Sequence, residues 1–374
     1  MHPIYMDSHS TTPVDPRVLE AMLPFFSEHF GNASSRNHPF GWKAAKAVET
    51  AREQVAGLIG ARFRDVVFTS GATESNNLAI KGVAAVAPET RRHVVTVATE
   101  HRAVLDPCRT LEREGFSVTY LPVRSDGLID LDQLDAAVSD RTLLVSVMAA
   151  NNEIGVLQPL ADIGRIAKAR GAIFHCDAVQ AAGMVSIDVN ATAIDLVSLS
   201  AHKIYGPKGV GALYVGRAVN LESGIDGGGH ERGFRSGTLN VPGIVGFGKA
   251  AAICRETFPE EARRIGALRD RLWEGLCGER VHLNGSMDHR LPQNLNIRID
   301  GVHGDSLLKS LANDVAISSG AACATTSAEP SHVLKALGLS DEQARASLRF
   351  GLARFTTEVE VDRVVDLVRC RLES

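Results

Sequence analysis

A lysine beside a histidine and a tight turn is the position in this chain best suited to covalent chemistry. Lys203 lies in the run 200–209, SAHKIYGPKG, which follows the strand-like apolar stretch 194–199. A strand placed there delivers the lysine to the edge of a sheet, where α/β proteins build their sites. An amine held at such an edge can form a Schiff base with an aldehyde cofactor such as pyridoxal phosphate (PLP). The alternative is an ordinary solvated lysine.

A small, hydroxyl-rich turn between a strand and a helix offers a place for a phosphate group. The apolar strand 65–69 runs into the segment 70–76, SGATESN, which opens a helix. Free N–H groups at a helix N-terminus, together with Ser and Thr hydroxyls, form an anion cradle. The segment is neither a Walker loop nor a GxGxxG motif, and a plain helix cap is the alternative.

Two further strand ends carry groups that suit the ring of the same cofactor. Asp177 follows the strand 172–176, where a carboxylate can pair with a protonated pyridine nitrogen, and Gln180 follows three residues later. His101 follows the strand 93–98, where its ring can stack on a flat cofactor and move protons. A helix-capping aspartate and a structural histidine are the alternatives. Together, four strand ends supply what one PLP molecule requires.

The elements that must position these residues alternate between strands and helices through the first two-thirds of the chain. Strands are predicted at 65–69, 93–98, 117–122, 142–149, 172–176, 194–198 and 211–215, and helices at 42–59, 72–85 and 160–169. Several strands are continuously apolar, which is typical of strands buried on both faces. This order predicts an α/β fold with a mainly parallel seven-stranded sheet flanked by helices.

The pattern changes near residue 255, where one long charged helix is predicted at 255–276. Shorter segments follow at 294–299, 305–312, 347–350 and 359–372. We therefore expect a large domain, 15–255, and a smaller α+β domain formed by 1–14 and 256–374.

Composition and charge are those of an ordinary globular protein. The 374 residues are 44% apolar and 22% charged, with a net charge of −4 and no long run of one sign, which argues against nucleic acid or a membrane surface as a partner. The N-terminus lacks the pattern of a signal peptide, so we expect a cytoplasmic protein. The six cysteines form no C-x-x-C pair, which predicts free thiols and no structural metal site.

These motifs together resemble the cysteine desulfurases, which are fold-type I PLP enzymes of the class V aminotransferase group. The resemblance runs almost end to end, from 7–16, DSHSTTPVDP, to 354–357, RFTT. It implies the PLP-dependent transferase fold type I, with PLP bound to Lys203. The residues that match the family's other cofactor-binding positions are Gly71, Ala72, Thr73, His101, Asn152, Asp177, Gln180, Ser200, His202 and Thr238.

The resemblance also implies the sulfur chemistry. Cys323, in the small and polar run 318–327, SSGAACATTS, matches the family's nucleophile, and we expect its loop to be mobile. The other five cysteines lie in or near apolar patterns and are expected to be structural. Arg349 matches the arginine that binds the substrate carboxylate, with Asn152 beside it, and a guanidinium fork suits that task. His101 is expected to deprotonate the substrate or nucleophile thiol.

The implied activity converts L-cysteine to L-alanine and holds the sulfur as a persulfide on Cys323 for an acceptor protein. Thr238 matches a residue that reaches the phosphate of the neighbouring subunit, so a homodimer is implied. The Cys323 loop and the segment 329–334, EPSHVL, resemble the group I enzymes of iron–sulfur assembly and nitrogen fixation. The chain departs from the family's usual residues at 8–10, at Ala201 and at Ala321, and none of these changes removes a reacting group.

Other functions are compatible with parts of this pattern. A selenocysteine lyase can use a similar site, and another class V transferase needs no Cys323. The sulfur acceptor can belong to iron–sulfur assembly or to a thiolation pathway. A non-catalytic, partner-binding protein that keeps the fold is a further alternative, and the presence of Lys203, Asp177 and Cys323 argues against it.

Overall fold

The fold is built from buried strands and the helices between them. The structure is a computed structural model that describes residues 3–319 and 329–373. The strands are β1 (Ile4–Tyr5), β2 (Val66–Thr69), β3 (His93–Val97), β4 (Ser117–Leu121), β5 (Thr142–Ser146), β6 (Ile173–Asp177), β7 (Leu196–Ser200), β8 (Gly211–Val215), β9 (Val281–Leu283), β10 (Asn294–Ile299), β11 (Val315–Ala316), β12 (Ser318–Ser319) and β13 (Ser347–Gly351). The helices are α1 (Pro16–Met22), α2 (Pro24–Ser27), α3 (Pro39–Leu58), α4 (Ala72–Ala85), α5 (Arg102–Arg113), α6 (Leu131–Ala137), α7 (Leu160–Ala169), α8 (Val241–Thr257), α9 (Glu260–Leu276), α10 (Gly304–Leu311), α11 (His332–Ala336), α12 (Asp341–Arg345) and α13 (Glu358–Glu373). Cys323 lies outside the described residues.

The central sheet has seven strands in the order β2-β8-β7-β6-β5-β3-β4. Strand β8 runs antiparallel to both of its neighbours, and the other pairings are parallel. Every residue of β2, β5, β7 and β8 is buried, as expected for strands covered by helices on both faces. The predicted mainly parallel α/β sheet is confirmed. Because β2, β3, β5, β6 and β7 point the same way, the residues that follow them meet at one edge.

A second, antiparallel sheet is formed by chain segments after residue 280. Its strand order is β12-β13-β10-β9. The N-terminal strand β1 pairs in parallel with β11, and Asp7 forms a bridge with Gly351. The first residues of the chain therefore lie against its last third. The division into two domains near residue 255 stays a prediction.

The long helix predicted at 255–276 is wrong, because the chain forms two helices there. Helix α8 ends at Thr257 and α9 begins at Glu260. Phe258 between them is extended, with φ −76° and ψ 139°. A proline disfavours the helical conformation in the residue before it, and Pro259 has that effect on Phe258.

The described cysteines separate into two groups. Cys108, Cys176 and Cys254 are buried free thiols, and burial raises the pKa of Cys108 to about 12 and that of Cys254 to about 11. Such thiols stay protonated near neutral pH and are poor nucleophiles. Cys277 and Cys370 are exposed, and the expectation that they are structural stays a prediction.

Two negative findings hold for the described ranges. No helix within residues 3–319 and 329–373 is both long enough and apolar enough to cross a bilayer. Among the same residues, no three His, Cys, Asp or Glu side chains are grouped so that they could hold a metal ion.

Candidate active site

A cleft of about 620 Å³ lies at the edge of the central sheet where the parallel strands end. It collects most of the residues singled out in the sequence. Those that line it are Gly71, Ala72, Thr73, His101, Asn152, Asp177, Gln180, Ser200, His202, Lys203 and Arg349. Thr238 is exposed and is not part of this lining, and Cys323 is outside the described residues.

Lys203 enters the cleft from a short 3₁₀ turn, Ala201–Lys203, that continues β7. Its Nζ donates to the backbone oxygens of His9 and, over 2.8 Å, of Ser10. Thr12 braces the turn, because its Oγ1 donates to the His202 oxygen over 2.9 Å and accepts from the Tyr205 N–H over 2.9 Å. Tyr205 is held at φ 67°, a left-handed conformation that a bulky residue adopts only under such constraint. The amine is thus positioned by a rigid turn.

The start of helix α4 forms an open cradle beside Lys203. Gly71 precedes the helix at φ 152°, and a Cβ placed there would meet no atom within 4 Å. The position therefore requires glycine for its conformation and leaves space for a group to approach the helix N-terminus closely. His202 lies at the same end of the cleft, with Nδ1 3.1 Å from Thr11 Oγ1. Burial lowers the pKa of His202 to about 4, so the ring is neutral near pH 7.

Two ion pairs fix the glycine-rich segment 227–238 next to this cradle. Arg235 Nε donates to Glu74 Oε1 over 2.9 Å, and Glu74 also accepts from the Ser70 N–H over 2.7 Å. Glu231 receives a bidentate contact from Arg52 with both N–O distances 2.6 Å, and it accepts from the Phe68 N–H. These contacts hold the segment that ends at Thr238 against β2 and α4.

Asp177 ends β6 with its carboxylate in the cleft. Oδ2 accepts from Asn76 Nδ2 over 2.7 Å, and Oδ1 accepts from the Val179 N–H over 3.0 Å. Both contacts donate to the carboxylate oxygens and hold the group in one orientation. Asn76 is fully buried, and its Oδ1 has no hydrogen-bond partner among the described residues. The pair can offer negative charge to a cationic group in the cleft.

His101 caps helix α5 while its ring lines the cleft. Nδ1 accepts from the Ala103 N–H over 3.1 Å, so the neutral ring carries its proton on Nε2. Desolvation of the ring lowers its pKa, against the opposing influence of Asp177. In this arrangement the neutral His101 ring can donate a hydrogen bond through Nε2–H, and it can accept a proton only after Nδ1 releases the Ala103 N–H.

Arg349 reaches the opposite end of the cleft from β13. Its Nη2 donates to Asp7 Oδ1 over 2.8 Å and to the hydroxyls of Ser10 and Ser318, and its Nη1 donates to the Asn152 oxygen over 3.0 Å. Nε is buried and has no partner in the described part of the chain. The side chain is 2% exposed, so an anion that reaches it gains a charge-assisted interaction with little competition from water.

A buried carboxyl group lies next to this arginine. Glu153 accepts a hydrogen bond at Oε2 from the Ser331 hydroxyl. Burial raises the pKa of Glu153 to about 7, against the opposing influences of Ser331 and Arg349. Glu100, behind His101, is also buried, and desolvation together with Asp177 raises its pKa well above the ordinary value. Because their pKa values are raised, Glu153 and Glu100 carry less negative charge near neutral pH than ordinary glutamates.

The chemistry of the cleft fits PLP at each part of that molecule. The cradle at Gly71 can take a phosphate, Asp177 can face a protonated ring nitrogen, and Lys203 can bond to the aldehyde. Arg349 lines the same cleft and can offer its guanidinium to a carboxylate. The cradle, Asp177 and Lys203 each lie at the end of a different strand of the central sheet, whereas Arg349 lies within β13 of the second sheet.

Sequence reasoning missed the part of the cleft contributed by the N-terminal segment. His9, Ser10 and Thr11 line the cleft, and the segment provides both oxygens that accept from Lys203. Asn76 and Lys208 also line it. The departure from the family's usual residues at 8–10 is the available signal, but no local pattern links these residues to Lys203, almost 200 residues later.

A family model and curated relatives match this chain over nearly its full length. The family model described as Aminotransferase class-V matches residues 4–364. A curated relative named cysteine desulfurase IscS, from Anaeromyxobacter sp. (strain Fw109-5), is 58% identical over 370 residues, covering 98% of this chain and 91% of the relative.

Solved structures with the same architecture include a NifS-like protein with a TM-score of 0.94 and 38% identity, which covers 100% of both chains. A structure titled SspA in complex with cysteine has a TM-score of 0.84 and 40% identity, and the match covers 95% of this chain and 100% of that one.

Proposed function

Because the chain belongs to the class V aminotransferase family, and within it to the cysteine desulfurases, we propose that it converts L-cysteine to L-alanine and carries the released sulfur on Cys323. The observation that best supports this proposal is that Lys203, Asp177 and Arg349 line one cleft. The reaction balances without an external oxidant or reductant. The C–S bond of cysteine breaks, an S–S bond forms to the Cys323 sulfur, and one proton is delivered to the β-carbon, giving alanine and a persulfide.

PLP is the cofactor of this family, and when bound it withdraws electrons from the substrate's α-carbon. Lys203 holds the cofactor and, as a free amine, moves the α-proton. Asp177 presents a carboxylate to the ring nitrogen, and Asn76 keeps that carboxylate oriented through its 2.7 Å hydrogen bond. Gln180 and Asn152 would contact the ring oxygen, and His101 would stack on the ring. The residues that would hold the phosphate are Gly71, Ala72, Thr73, Ser200 and His202.

Arg349 binds the carboxylate of L-cysteine, with Asn152 beside it. Its Nη1 and Nη2 are already held by oxygens of the protein, which fixes the guanidinium plane before substrate arrives. A fixed fork loses little side-chain entropy when it binds a carboxylate. We assign proton transfer at the thiols to His101, which requires that its Nδ1 first release the Ala103 N–H.

Replacement of Lys203 tests the assignment of the cleft. Lys203→Ala should abolish alanine formation and the visible absorption of the PLP-loaded protein. Lys309→Ala, which changes an exposed lysine on α10, should leave both unchanged. A Lys203→Ala protein with undiminished turnover would contradict the assignment.

We further propose that the protein acts as a homodimer. Six large apolar side chains between residues 19 and 42 are exposed: Leu19, Leu23 and the aromatic Phe26, Phe30, Phe40 and Trp42, each aromatic one more than half exposed. Large exposed apolar patches mark interaction surfaces. In the dimer, Thr238 would reach the phosphate of the partner's cofactor.

Mixed dimers test the shared site. Lys203→Ala and Thr238→Ala subunits, refolded together, should regain activity, because one of the two sites then keeps both residues. Activity that does not exceed the sum of the separate variants would contradict the shared site.

The acceptor is proposed to be a protein of iron–sulfur cluster assembly, because the segment 329–334 resembles the group I enzymes, and a thiolation carrier is the second candidate. The sulfur-labelled proteins that form in a native lysate distinguish them. Competition between L-cysteine and L-selenocysteine separates the desulfurase from a selenocysteine lyase. We also propose a cytoplasmic location.

A further inference from the structure

The buried ring of His9 connects the cleft to the second sheet through both of its nitrogens. Nδ1 lies 2.8 Å from Gln180 Oε1, and Nε2 lies 3.0 Å from Asn294 Nδ2. The residue is 2% exposed and belongs to the N-terminal segment that also binds Lys203. His9 therefore contacts two of the groups on which the proposed cofactor site depends.

Arg290 determines which atoms donate and which accept in the contacts that lead through Asn294 to His9. Arg290 can only donate, and its Nη1 donates to Asn294 Oδ1 over 2.7 Å. The amide nitrogen of Asn294 must then face His9, so His9 Nε2 accepts and the ring proton is on Nδ1. Burial, with Arg349 and Lys203 nearby, lowers the pKa of His9 to about 3, so the ring stays neutral near pH 7.

The position of Asn294 is fixed by close packing as well as by hydrogen bonds. Its Nδ2 also donates to the Glu153 oxygen over 3.0 Å. Gly155 approaches it so closely that an added Cβ would lie 2.3 Å from Asn294 Cγ, and Gly155 has φ 69°. Neither the Asn294 amide nor the His9 ring can flip without moving the residues packed against it.

The orientation of Gln180 follows from the same contacts. Its Oε1 accepts from His9 Nδ1–H, and its Nε2 donates to the His9 backbone oxygen over 3.1 Å. An amide nitrogen carries two protons, so one N–H of Gln180 remains for the cleft that the residue lines. A turned amide would present an acceptor oxygen instead.

We propose that His9 is a positioning residue that fixes the Gln180 carboxamide so that it donates a hydrogen bond to the ring oxygen of PLP. The proposal rests on the proposed role of Gln180 and extends it to a residue outside the family's usual pattern. Through Asn294, the orientation of that donor is tied to Arg290 in the last third of the chain.

Three substitutions separate the two ring nitrogens. An asparagine at position 9 places an amide near the position of Nδ1, a glutamine places one near that of Nε2, and an alanine supplies neither. His9→Ala and His9→Gln should raise the dissociation constant of PLP about tenfold, the value of one lost hydrogen bond, and shift the visible absorption band. His9→Asn should stay within about threefold of the parent protein.

Two further variants make the result decisive. His93 is a matched control, because its two ring nitrogens also contact side chains but it begins β3, at the end of the strand away from the cleft. His93→Ala should leave PLP affinity unchanged. Gln180→Ala should weaken PLP binding, and adding His9→Ala to it should have no further effect.

The outcomes distinguish this inference from the proposed function. If Gln180→Ala leaves PLP affinity unchanged, the role of Gln180 is wrong. If Gln180→Ala weakens binding but His9→Ala does not, or if all three His9 variants behave alike, His9 has only a packing role. Nitrogen NMR of the apoprotein gives an independent reading, since the His9 proton should be on Nδ1 throughout the neutral pH range, and a proton on Nε2 would overturn the inference.

Discussion

Arg349 Nη2 lies 2.8 Å from Asp7 Oδ1, which joins the proposed substrate-binding guanidinium to an acid from the first residues of the chain. The arginine is almost fully buried, and Asp7 is one-fifth exposed. Part of the positive charge that L-cysteine meets is therefore already neutralised. The pair orients Arg349 and also competes with the substrate carboxylate.

Substitutions of this pair should act on substrate binding. Arg349→Lys keeps the charge but loses the planar fork, so KM for L-cysteine should rise at least about tenfold. Asp7→Asn keeps an acceptor oxygen but removes the competing charge, so KM should fall about threefold. Steady-state kinetics measure both values, and an unchanged KM in Arg349→Lys would contradict the assigned role.

Asp177 should control the chemical step. Asp177→Asn removes the charge opposite the proposed ring nitrogen, and kcat should fall about a hundredfold or more while the protein still binds PLP. Asn76→Ala removes the 2.7 Å donor to the same carboxylate, and its effect should have the same direction but be about tenfold. Alanine formation measures both rates. A larger loss in Asn76→Ala than in Asp177→Asn would contradict this order.

Glu153 should make the apoprotein less stable as pH rises. The pKa of this carboxyl is raised from 4.5 to about 7 in the folded chain, so between these values the folded state holds a proton that the unfolded state has released. The contribution of Glu153 to the free energy of unfolding falls through that window by about 3 kcal/mol. Histidines whose pKa values are lowered by burial, such as His9 and His202, act in the opposite direction, so the contribution of Glu153 is measured as a difference between variants. Between urea unfolding of the apoprotein at pH 5 and at pH 8, the free energy of unfolding should change less favourably in the parent and in an exposed control, Glu20→Gln, than in Glu153→Gln. The same pH dependence in all three proteins would exclude a contribution from Glu153.

The fold was predictable where the sequence pattern is local. Strands β8 and β10 and helices α4 and α7 have the predicted bounds, because continuous apolar runs and amphipathic periods mark them. The strand predicted at 142–149 ends at Ser146, and the one at 194–198 is shifted to Leu196–Ser200. Pro259 was present in the sequence, but the charge pattern around it was continuous enough to suggest one helix.

The site was predictable for residues that follow a strand and not for those brought in by distant pairing. Lys203 and Asp177 end or follow parallel strands, so the topology alone brings them together. His9 lines the same cleft and Asp7 contacts Arg349 because β1 pairs with β11, more than 300 residues away in sequence. The tautomer of His101 also had no sequence signal, since it depends on the hydrogen bond to Ala103.

The central claim is that sulfur from L-cysteine is transferred to Cys323. The PLP-loaded protein should be treated with L-cysteine without an acceptor, digested and analysed by mass spectrometry. The peptide that contains Cys323 should gain the mass of one sulfur atom, and Cys277→Ala and Cys370→Ala, which remove the exposed cysteines, should behave like the parent. Cys323→Ala should gain no sulfur and form little alanine. Parental turnover in Cys323→Ala, or sulfur found on another cysteine of the parent protein, would contradict the claim.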